Sequence, residues 1–538
     1  MLPSVLICLG TAAGSLLAAR QLIHYFQLES YQFPGYFRTI RRNLLKAVLP
    51  GLCLALLGIV CISSLNLLFS SETIVAIIHS LIMTAGGFAA GRALSERKAK
   101  KSLVFTPRIK RLYAVSFLVM FLILFSTANL IADADTGILE GFYFPAVFIL
   151  LFPVFLPFWI ALCGLLAWPV EKGISELYFR DAQHILQSRK DLIRIGITGS
   201  WGKTSVKFIL GTMLEEKYHT LVTPSSFNTP MGVTKIIRSR LEPGHRVFVA
   251  EMGARHVGDI REMCRLVHPQ YGILTSVGPQ HLDTFKTVER VTGTKYELIE
   301  ALPENGCSFF ADDDGICLDL YAKTRKDKSL AGLDSSRDDV WAEDIDVSCK
   351  GSTFFLCSRD MRIRCNTSLL GELNIRNIVL CASVCLKLGL SGDQIARGIS
   401  KLKPVDHRLQ LLDNPGGMTV IDDAFNSNII GANQAFKVLA LMQGNRILVT
   451  PGMVELGEME TEMNRQFGRN AASCCDTAVL IGKKRSEAIS EGLTEGGFDP
   501  NRIHITGSLE EATVLLSTLA KAGDTVLFEN DLPDNYTE

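Results

Sequence analysis

Leu192-Ile-Arg-Ile-Gly-Ile-Thr198 is a β-branched run that leads directly into Gly199-Ser-Trp-Gly-Lys-Thr-Ser205, and that junction decides how most of the chain folds. The run has the character of a buried strand. The stretch Val206–Glu216 that follows is patterned as a helix. Strand, glycine-rich turn and helix together form the setting in which a chain cradles phosphate. Gly199 and Gly202 let backbone N–H groups come close to phosphate oxygens, and the helix start adds a favourable dipole. Ser200 and Ser205 flank the same loop. Lys203 supplies a point charge to the phosphates and Thr204 a hydroxyl suited to Mg²⁺. A strict P-loop carries glycine five residues before Gly202, where this chain has Ile197. The reading is therefore a nucleotide site of P-loop type, with neighbours still to be found downstream.

Upstream of that strand the chain has another character. A helix needs about 20 apolar residues to cross a bilayer core. Runs of this kind cover roughly Leu2–Ala19, Ala47–Phe69, Thr73–Gly91 and Leu112–Ala132, with a longer, proline-containing run at Gly141–Val170. Two intervening segments are basic: one holds Arg20, Arg38, Arg41, Arg42 and Lys46, the other Arg92, Arg97, Lys98, Lys100, Lys101, Arg108, Lys110 and Arg111. Ser70–Glu72 and Asp133–Glu140 hold neither Lys nor Arg. The positive-inside rule then predicts about five spans, with the N-terminus outside and everything after Val170 in the cytosol. A bacterial plasma-membrane location with cytosolic catalytic domains follows as the expectation. No acidic or basic residue interrupts the first four runs, which favours an anchor over a transport path. A dock for a lipid substrate is the other reading of this region, since basic loops suit anionic head groups.

From Asp191 onward the chain resembles the Mur ligases, closest to the branch that adds D-alanyl-D-alanine, and its motifs follow that family's order. Val247-Phe-Val-Ala-Glu-Met-Gly253 ends a strand on a carboxylate, and the resemblance makes Glu251 a Mg²⁺ ligand beside Thr204. The segment Gly272–Asp283 carries His281, which the resemblance assigns to a second Mg²⁺. Lys295-Tyr-Glu-Leu-Ile299 matches the family segment whose lysine is carbamylated, so that an anionic oxygen ligand replaces a cation. Asn228 and Thr229, in Asn228-Thr-Pro-Met-Gly232, are the implied substrate contacts. Asn374 and Asn377 lie in the segment similar to the adenine-reading one, with Leu373 where most relatives have His. Arg408 matches an arginine that meets ATP phosphate on domain closure, and Asp423 and Asn426 are the implied nucleotide contacts of the last domain. Phe425 stands there for the family's Tyr.

The resemblance implies ATP and two Mg²⁺ ions as cofactors. It also implies an acid–amino-acid ligase that forms an acyl-phosphate before an amine attacks, on a cell-envelope precursor of peptidoglycan type. The amine would be an amino acid or a D-Ala-D-Ala-like dipeptide, and the acceptor a carboxylate that could be lipid-linked. The family's UDP-sugar-binding N-terminal domain has no counterpart, because residues 1–170 are apolar runs. The expected architecture is an α-helical membrane domain over 1–170, a P-loop α/β domain over 171–403 and a Rossmann-like doubly wound domain over 404–538. Alternating patterns in the last part support this, with strands at Thr477–Ile481 and Thr525–Phe528 and helices at Glu460–Ala472 and Leu509–Lys521. Asp312–Asp314 and Lys323–Asp339 read as polar loops.

Composition excludes other classes. Lys plus Arg equal Asp plus Glu at 55 each, which gives no basic face for nucleic acid. The 14 cysteines include no CxxC pair, so neither a zinc site nor a disulfide framework is expected. Two alternatives remain: a poly-glutamate-type or other amino-acid ligase, and a membrane transporter or signalling ATPase that uses its P-loop for motion. The series Glu251, His281, Lys295 argues against motion alone, which has no use for a lysine poised to become a metal ligand.

Overall fold

The computed structural model describes residues 2–93, 102–133, 148–149, 151–225, 227–413, 416–424, 428–454 and 456–531, which divide into two compact units, 1–176 and 177–538. The division falls inside one continuous helix, Leu156–Ser188.

The first unit is helical. Leu44–Leu68, Glu72–Ala93, Pro107–Asn129 and Phe152–Ser188 are each long and apolar enough to cross a membrane. The first apolar run forms the helix Leu2–Ala18, and Arg20–Leu28, expected as part of a basic loop, continues it as a second helix across a bend of 46°; the count is four spans, or five if this pair is one. The start of the proline-containing run, including Pro145, lies outside the described residues, while Pro153 and Pro157 lie within them. Small residues set how closely the first helix meets Glu72–Ala93. A Cβ built on Gly87 would stand 2.0 Å from the carbonyl oxygen of Gly14, and one on Gly14 would stand 2.3 Å from that of Met83. Between apolar helices in lipid, such backbone approach supplies the packing that water exclusion supplies elsewhere.

The second unit holds two sheets. The larger has the order β2-β3-β1-β4-β5-β6-β7-β8-β9. Here β1 is Ile193–Thr198, β2 Thr220–Val222, β3 Val247–Glu251, β4 Tyr271–Leu274, β5 Cys307–Ala311, β6 Asp327–Gly332, β7 Val340–Ser348, β8 Gly351–Ser358 and β9 Met361–Thr367. Pairing is parallel from β2 to β7 and antiparallel through β8 and β9. Strand β3 shows why helices cover both faces. Val247 and Val249 join the core made with helices Lys203–Leu214 and Glu372–Lys387, while Phe248 and Ala250 join the opposite core with Asp259–Val267 and Val288–Glu300. A strand apolar on both sides needs both faces covered.

The smaller sheet has the order β10-β11-β15-β12-β13-β14, from Gln410–Asp413, Thr419–Asp423, Thr525–Glu529, Arg446–Thr450, Thr477–Ile481 and Ile503–Thr506. Only the β10–β11 pair is antiparallel. Leu448 faces helices Ile429–Ala440 and Glu460–Ala471, and its neighbours Ile447 and Val449 face Leu509–Leu519. This is the doubly wound arrangement expected for the last domain.

One expectation is corrected. The supposed loop Lys323–Asp339 contains β6, a strand inside the large sheet. Its polar start misleads: Asp327 pairs with Lys387 at 2.5 Å, and Lys328 Nζ donates to the carbonyls of Tyr321 and Thr324. Leu330 and Ala331, at its other end, are buried. All 14 cysteines are free and most are buried, as small apolar residues of a reduced protein are.

The glycine seam generates a prediction. Gly87→Val should destabilise the helical unit by about 3 kcal/mol through overpacking against a backbone that has no room to yield. Gly173→Ala should be neutral, because nothing lies within 4 Å of that site. Thermal unfolding of the detergent-solubilised full chain checks both.

Candidate active site

Three parallel strands bring the motifs to one edge. In register, Ile197 of β1 lies opposite Glu251 of β3, and Thr198 opposite Leu274 of β4, so the ends of all three strands are level. The chain runs outward on both sides of β1, and such a switch point leaves a crevice at the carboxyl ends of the strands.

The glycine-rich loop begins where β1 ends, and its shape depends on two glycines. A Cβ on Gly199 would stand 2.0 Å from Thr275 Oγ1, and Gly202 caps the helix Lys203–Leu214 with φ 81°, a left-handed conformation costly for other residues. Hydrogen bonds tie the loop to the segment after β4. Ser200 N donates to the Ser276 carbonyl, Ser200 Oγ to the Gly278 carbonyl at 3.1 Å, and Trp201 N to Ser276 Oγ at 2.8 Å. Lys203 Nζ donates to the loop's own carbonyls, those of Gly199 at 2.5 Å and Ser200 at 3.1 Å. It is thus curled over the cradle in which phosphate would sit.

Glu251 is the centre of the cluster. It is 1% exposed, and three side chains converge on its carboxylate. Thr204 Oγ1 lies 3.2 Å and 3.1 Å from its two oxygens, Asn228 Nδ2 donates to Oε1 at 3.1 Å, and Lys207 Nζ donates to Oε2 at 2.9 Å. Its own N–H donates to Thr223 Oγ1. Burial alone would raise the Glu251 pKa, but Lys207 and Lys203 outweigh it and hold the carboxylate below its usual range. Lys203 is pushed down to about 8, first by burial, with Glu251 pulling against and Arg408 adding to the shift. Lys295 projects from the helix Val288–Glu300 and is 1% exposed. Burial and the nearness of Lys203 hold its amine well below the ordinary range, against the pull of Asp259 and Glu251.

The remaining candidates fall around this centre. Asn377 is buried on the helix Glu372–Lys387, and its Oδ1 lies 3.3 Å from where a Cβ on Gly202 would stand, beside the loop. Asn374 donates its amide to the Leu370 carbonyl at 2.8 Å. Thr229 caps the helix Pro230–Arg240 by accepting from Gly232 N, so its hydroxyl oxygen has a local structural task. His281 is placed by its backbone, at the head of the short helix Leu282–Phe285 after β4, with φ 51°. Ser205 lies in the first turn of the helix after the loop. From the second sheet, Asp423 ends β11 and accepts from Leu409 N at 3.2 Å. Burial pushes the Asp423 carboxyl up to about 6 against the pull of Arg408. Arg408 lies within electrostatic reach of Asp423, Glu251 and Glu529. Asn426 and Phe425 lie outside the described residues.

The donor set fits a hard cation. Among the described residues no three His, Cys, Asp or Glu side chains converge as a ligand group. Mg²⁺ does not require one: it commonly takes one or two carboxylates with phosphate oxygens and water. Glu251 with the Thr204 hydroxyl supplies such a pair beside the phosphate cradle. Lys207 and Glu529 escaped the sequence reading. Lys207 lies one helical turn after Lys203, and that spacing toward Glu251 was the only signal available.

A sheet edge with this loop, a buried carboxylate and an arginine from a second α/β domain defines a nucleotide-dependent enzyme of two-domain type. The family model described as Mur ligase middle domain matches residues 197–385, and that described as Mur ligase, glutamate ligase domain matches 407–529. The chain belongs to the Mur ligase family. It is 31% identical over 297 residues to the UDP-N-acetylmuramoyl-tripeptide–D-alanyl-D-alanine ligase of Escherichia coli, covering 55% of this chain and 66% of that protein. The ligase of the same name from Bacillus subtilis is 25% identical over 337 residues, or 62% of this chain and 72% of that one. Among solved structures, the Thermotoga maritima MurF ligase in complex with ADP aligns with a TM-score of 0.59 at 25% identity, over 66% of this chain and 80% of that chain. MurF from Acinetobacter baumannii aligns with a TM-score of 0.61 at 22% identity, over 67% and 78%, a likeness of fold.

Lys207→Met would leave Glu251 as an uncompensated buried charge. It should cost about 3–5 kcal/mol in thermal stability and lower ATP turnover more than tenfold. Denaturant melts and ADP release, measured on the same preparation, check both parts.

Proposed function

We propose that this chain is a membrane-anchored, ATP-dependent amide ligase of MurF type that joins an amino acid or a D-Ala-D-Ala-like dipeptide to the carboxylate of a cell-envelope precursor. One observation carries the reading: Lys203, Thr204, Lys207 and Asn228 gather around a buried Glu251 at the edge of the sheet, with Arg408 of the next domain in electrostatic reach. The spans and basic loops of the first unit support a plasma-membrane position with the ligase domains in the cytosol, where ATP is.

An amide forms from a carboxylate only if the acid is first made reactive. The acid's oxygen attacks the γ-phosphorus of ATP, ADP leaves, and an acyl-phosphate remains. The amine then attacks the acyl carbon, and phosphate departs from the tetrahedral intermediate. Such transfer depends on positioning and charge neutralisation. The loop N–H groups hold the phosphates, Lys203 leaves its loop carbonyls to meet them, and Arg408 approaches from the opposite side. Asn377, beside Gly202, and Asn374 face the nucleotide from the neighbouring helix, with Asp423 and Asn426 contributing from the last domain. Closure of the two domains excludes water from the acyl-phosphate. Thr204 and Glu251 would hold one Mg²⁺, and His281 with a carbamylated Lys295 a second. When bound, these ions neutralise the phosphate charge that develops in the transfer. CO₂ adds to a neutral amine, and the burial that holds the Lys295 amine below its ordinary range favours that form, which supports the carbamylation. Asn228, through its bond to Glu251, stands between the metal side and the acceptor side.

The purified full chain, given ATP, Mg²⁺, D-Ala-D-Ala and candidate carboxylate precursors, should release ADP only when an acid is present and yield a product heavier than the acid by the added amine less one water. ADP release that ignores both acid and amine would favour a motion-driving ATPase and sink the reading. Lys295→Ala should lose roughly 100-fold in ligation rate and recover part of it with added short carboxylic acids. Full activity without rescue removes Lys295 from the site.

A further inference from the structure

The helical unit has a small, open cleft that the ligase reading does not use. Its apolar lining includes Phe26, Phe33 and Trp168, and its polar lining is Tyr31, Arg108 and Glu171. The charged groups sit where apolar segments end. Arg108 is the second residue of the helix Pro107–Asp133, Glu171 follows the apolar part of Leu156–Ser188, and Tyr31 lies between Arg20–Leu28 and Phe33–Arg42.

The cleft is built around Arg108. Arg111 takes both oxygens of Glu171, at 2.5 Å and 2.8 Å, whereas Arg108 Nε stands 3.9 Å from the same carboxylate. Among the described residues Glu171 is the one acid that faces Arg108. The Arg108 guanidinium lies 3.7 Å from the centre of the Tyr31 ring, a cation–π contact that fixes its plane and leaves N–H donors for another acceptor. Ser30 and Tyr31 both have left-handed backbones, φ 52° and 64°, an uncommon pair for non-glycine residues. That turn places the ring under Arg108, and strain held in a ligand clamp is a recurrent device. A second cation, Lys172, lies 5.0 Å from the centre of the Trp168 ring.

We infer that this cleft binds the phosphate head group of an anionic lipid, with Arg108 on the phosphate and the Phe26, Phe33 and Trp168 rings against the first part of the acyl chains. The chemistry favours a lipid over a soluble phosphate. Aromatic rings and a guanidinium at the ends of apolar helices match the interfacial layer of a membrane, and basic pockets between spans are suited to anionic head groups. The segment before Arg108 adds Arg92, Arg97, Lys98, Lys100 and Lys101, a charge excess of the sign that draws such lipids. The inference rests on the membrane reading given above but not on the ligase chemistry.

The test uses the full chain in neutral detergent micelles, titrated with phosphatidic acid or phosphatidylcholine whose acyl chains carry bromine near the head group, with tryptophan fluorescence as the readout. Phosphatidic acid should quench with an apparent Kd at least about tenfold below that of phosphatidylcholine. Arg108→Gln should abolish that difference, Arg108→Lys should retain most of it, and Trp168→Phe should remove much of the quenching itself. Unchanged thermal unfolding of Arg108→Gln shows that the loss is local. Equal quenching by both lipids, or an Arg108→Gln variant that discriminates as the wild type does, overturns the inference. So does displacement of the lipid by glycerol 3-phosphate at equal concentration, which would mark a soluble-phosphate site. Release of the wild-type chain from membranes by alkaline carbonate would instead sink the membrane reading, so the two failures are told apart.

Discussion

A carboxylate taken almost wholly out of water needs partners, and the arrangement around Glu251 follows from that need. Removing such an ion from water costs several kcal/mol even after relaxation, and attraction to one cation repays it only where the remaining lone pairs are also bonded. Lys207, 0% exposed, gives the compensating charge, while Thr204 and Asn228 occupy the remaining directions. These residues come from different elements: the helix after β1, the loop before Pro230–Arg240, and the end of β3. One charge therefore fixes the relative positions of the glycine-rich loop and its helix, the end of β3 and the loop carrying Asn228. Lys207 and Glu251 cancel in charge, which leaves Lys203, bonded to the carbonyls of its own loop, as the cluster's excess cation.

Local motifs made much of this legible in the sequence. The strand Ile193–Thr198, the loop glycines and the strand ending at Glu251 are each specified by a few consecutive residues, and a parallel sheet then aligns their ends without further instruction. Lys207 was not legible, because a lysine four residues along a helix reads as a solvated face until a buried acid is known to lie opposite. Strand β6 was missed for a related reason. Its charged residues come first in sequence and meet their partners at the sheet's end, while the residues that pack, Leu330 and Ala331, are too few to show a period. Thr229 also caps a helix, a role Thr commonly fills before Pro at the first helical position, and its sequence context did not announce that second task. The helix Arg20–Leu28 lay hidden because its polar residues, Arg20, Gln21, His24 and Gln27, end the apolar run at Ala19.

The two kinds of core in the molecule obey different rules. In the large sheet, alternate residues of β3 bury against helices on opposite faces, and exclusion of water drives the packing. In the helical unit large hydrophobic side chains such as Leu45, Leu67 and Leu81 remain exposed, while small residues lie where Leu2–Ala18 meets Glu72–Ala93. A water-soluble bundle would reverse that distribution. Where Leu2–Ala18 meets Glu72–Ala93, close backbone approach, rather than burial of large side chains, makes the contact.

The last domain contributes its charge through an arginine that is itself half-withdrawn from water. Arg408 follows the junction between the two sheets, where His407 and Leu409 adopt left-handed backbones with φ 60° and 44°. Leu409 N donates to Asp423, and His407 Nδ1 lies 2.7 Å from Asp422, so the junction is bonded to the end of β11 on both sides of Arg408. Asp423 and Glu529, at the ends of neighbouring parallel strands β11 and β15, set two acids near one guanidinium. Burial disfavours charge on each of them alone. Together they keep Arg408 charged and oriented while its electrostatic reach extends to Lys203 and Glu251. For an arginine held from behind by its own domain's carboxylates, the cost of withdrawal from water falls on folding, and the group stands preorganised before any ligand arrives.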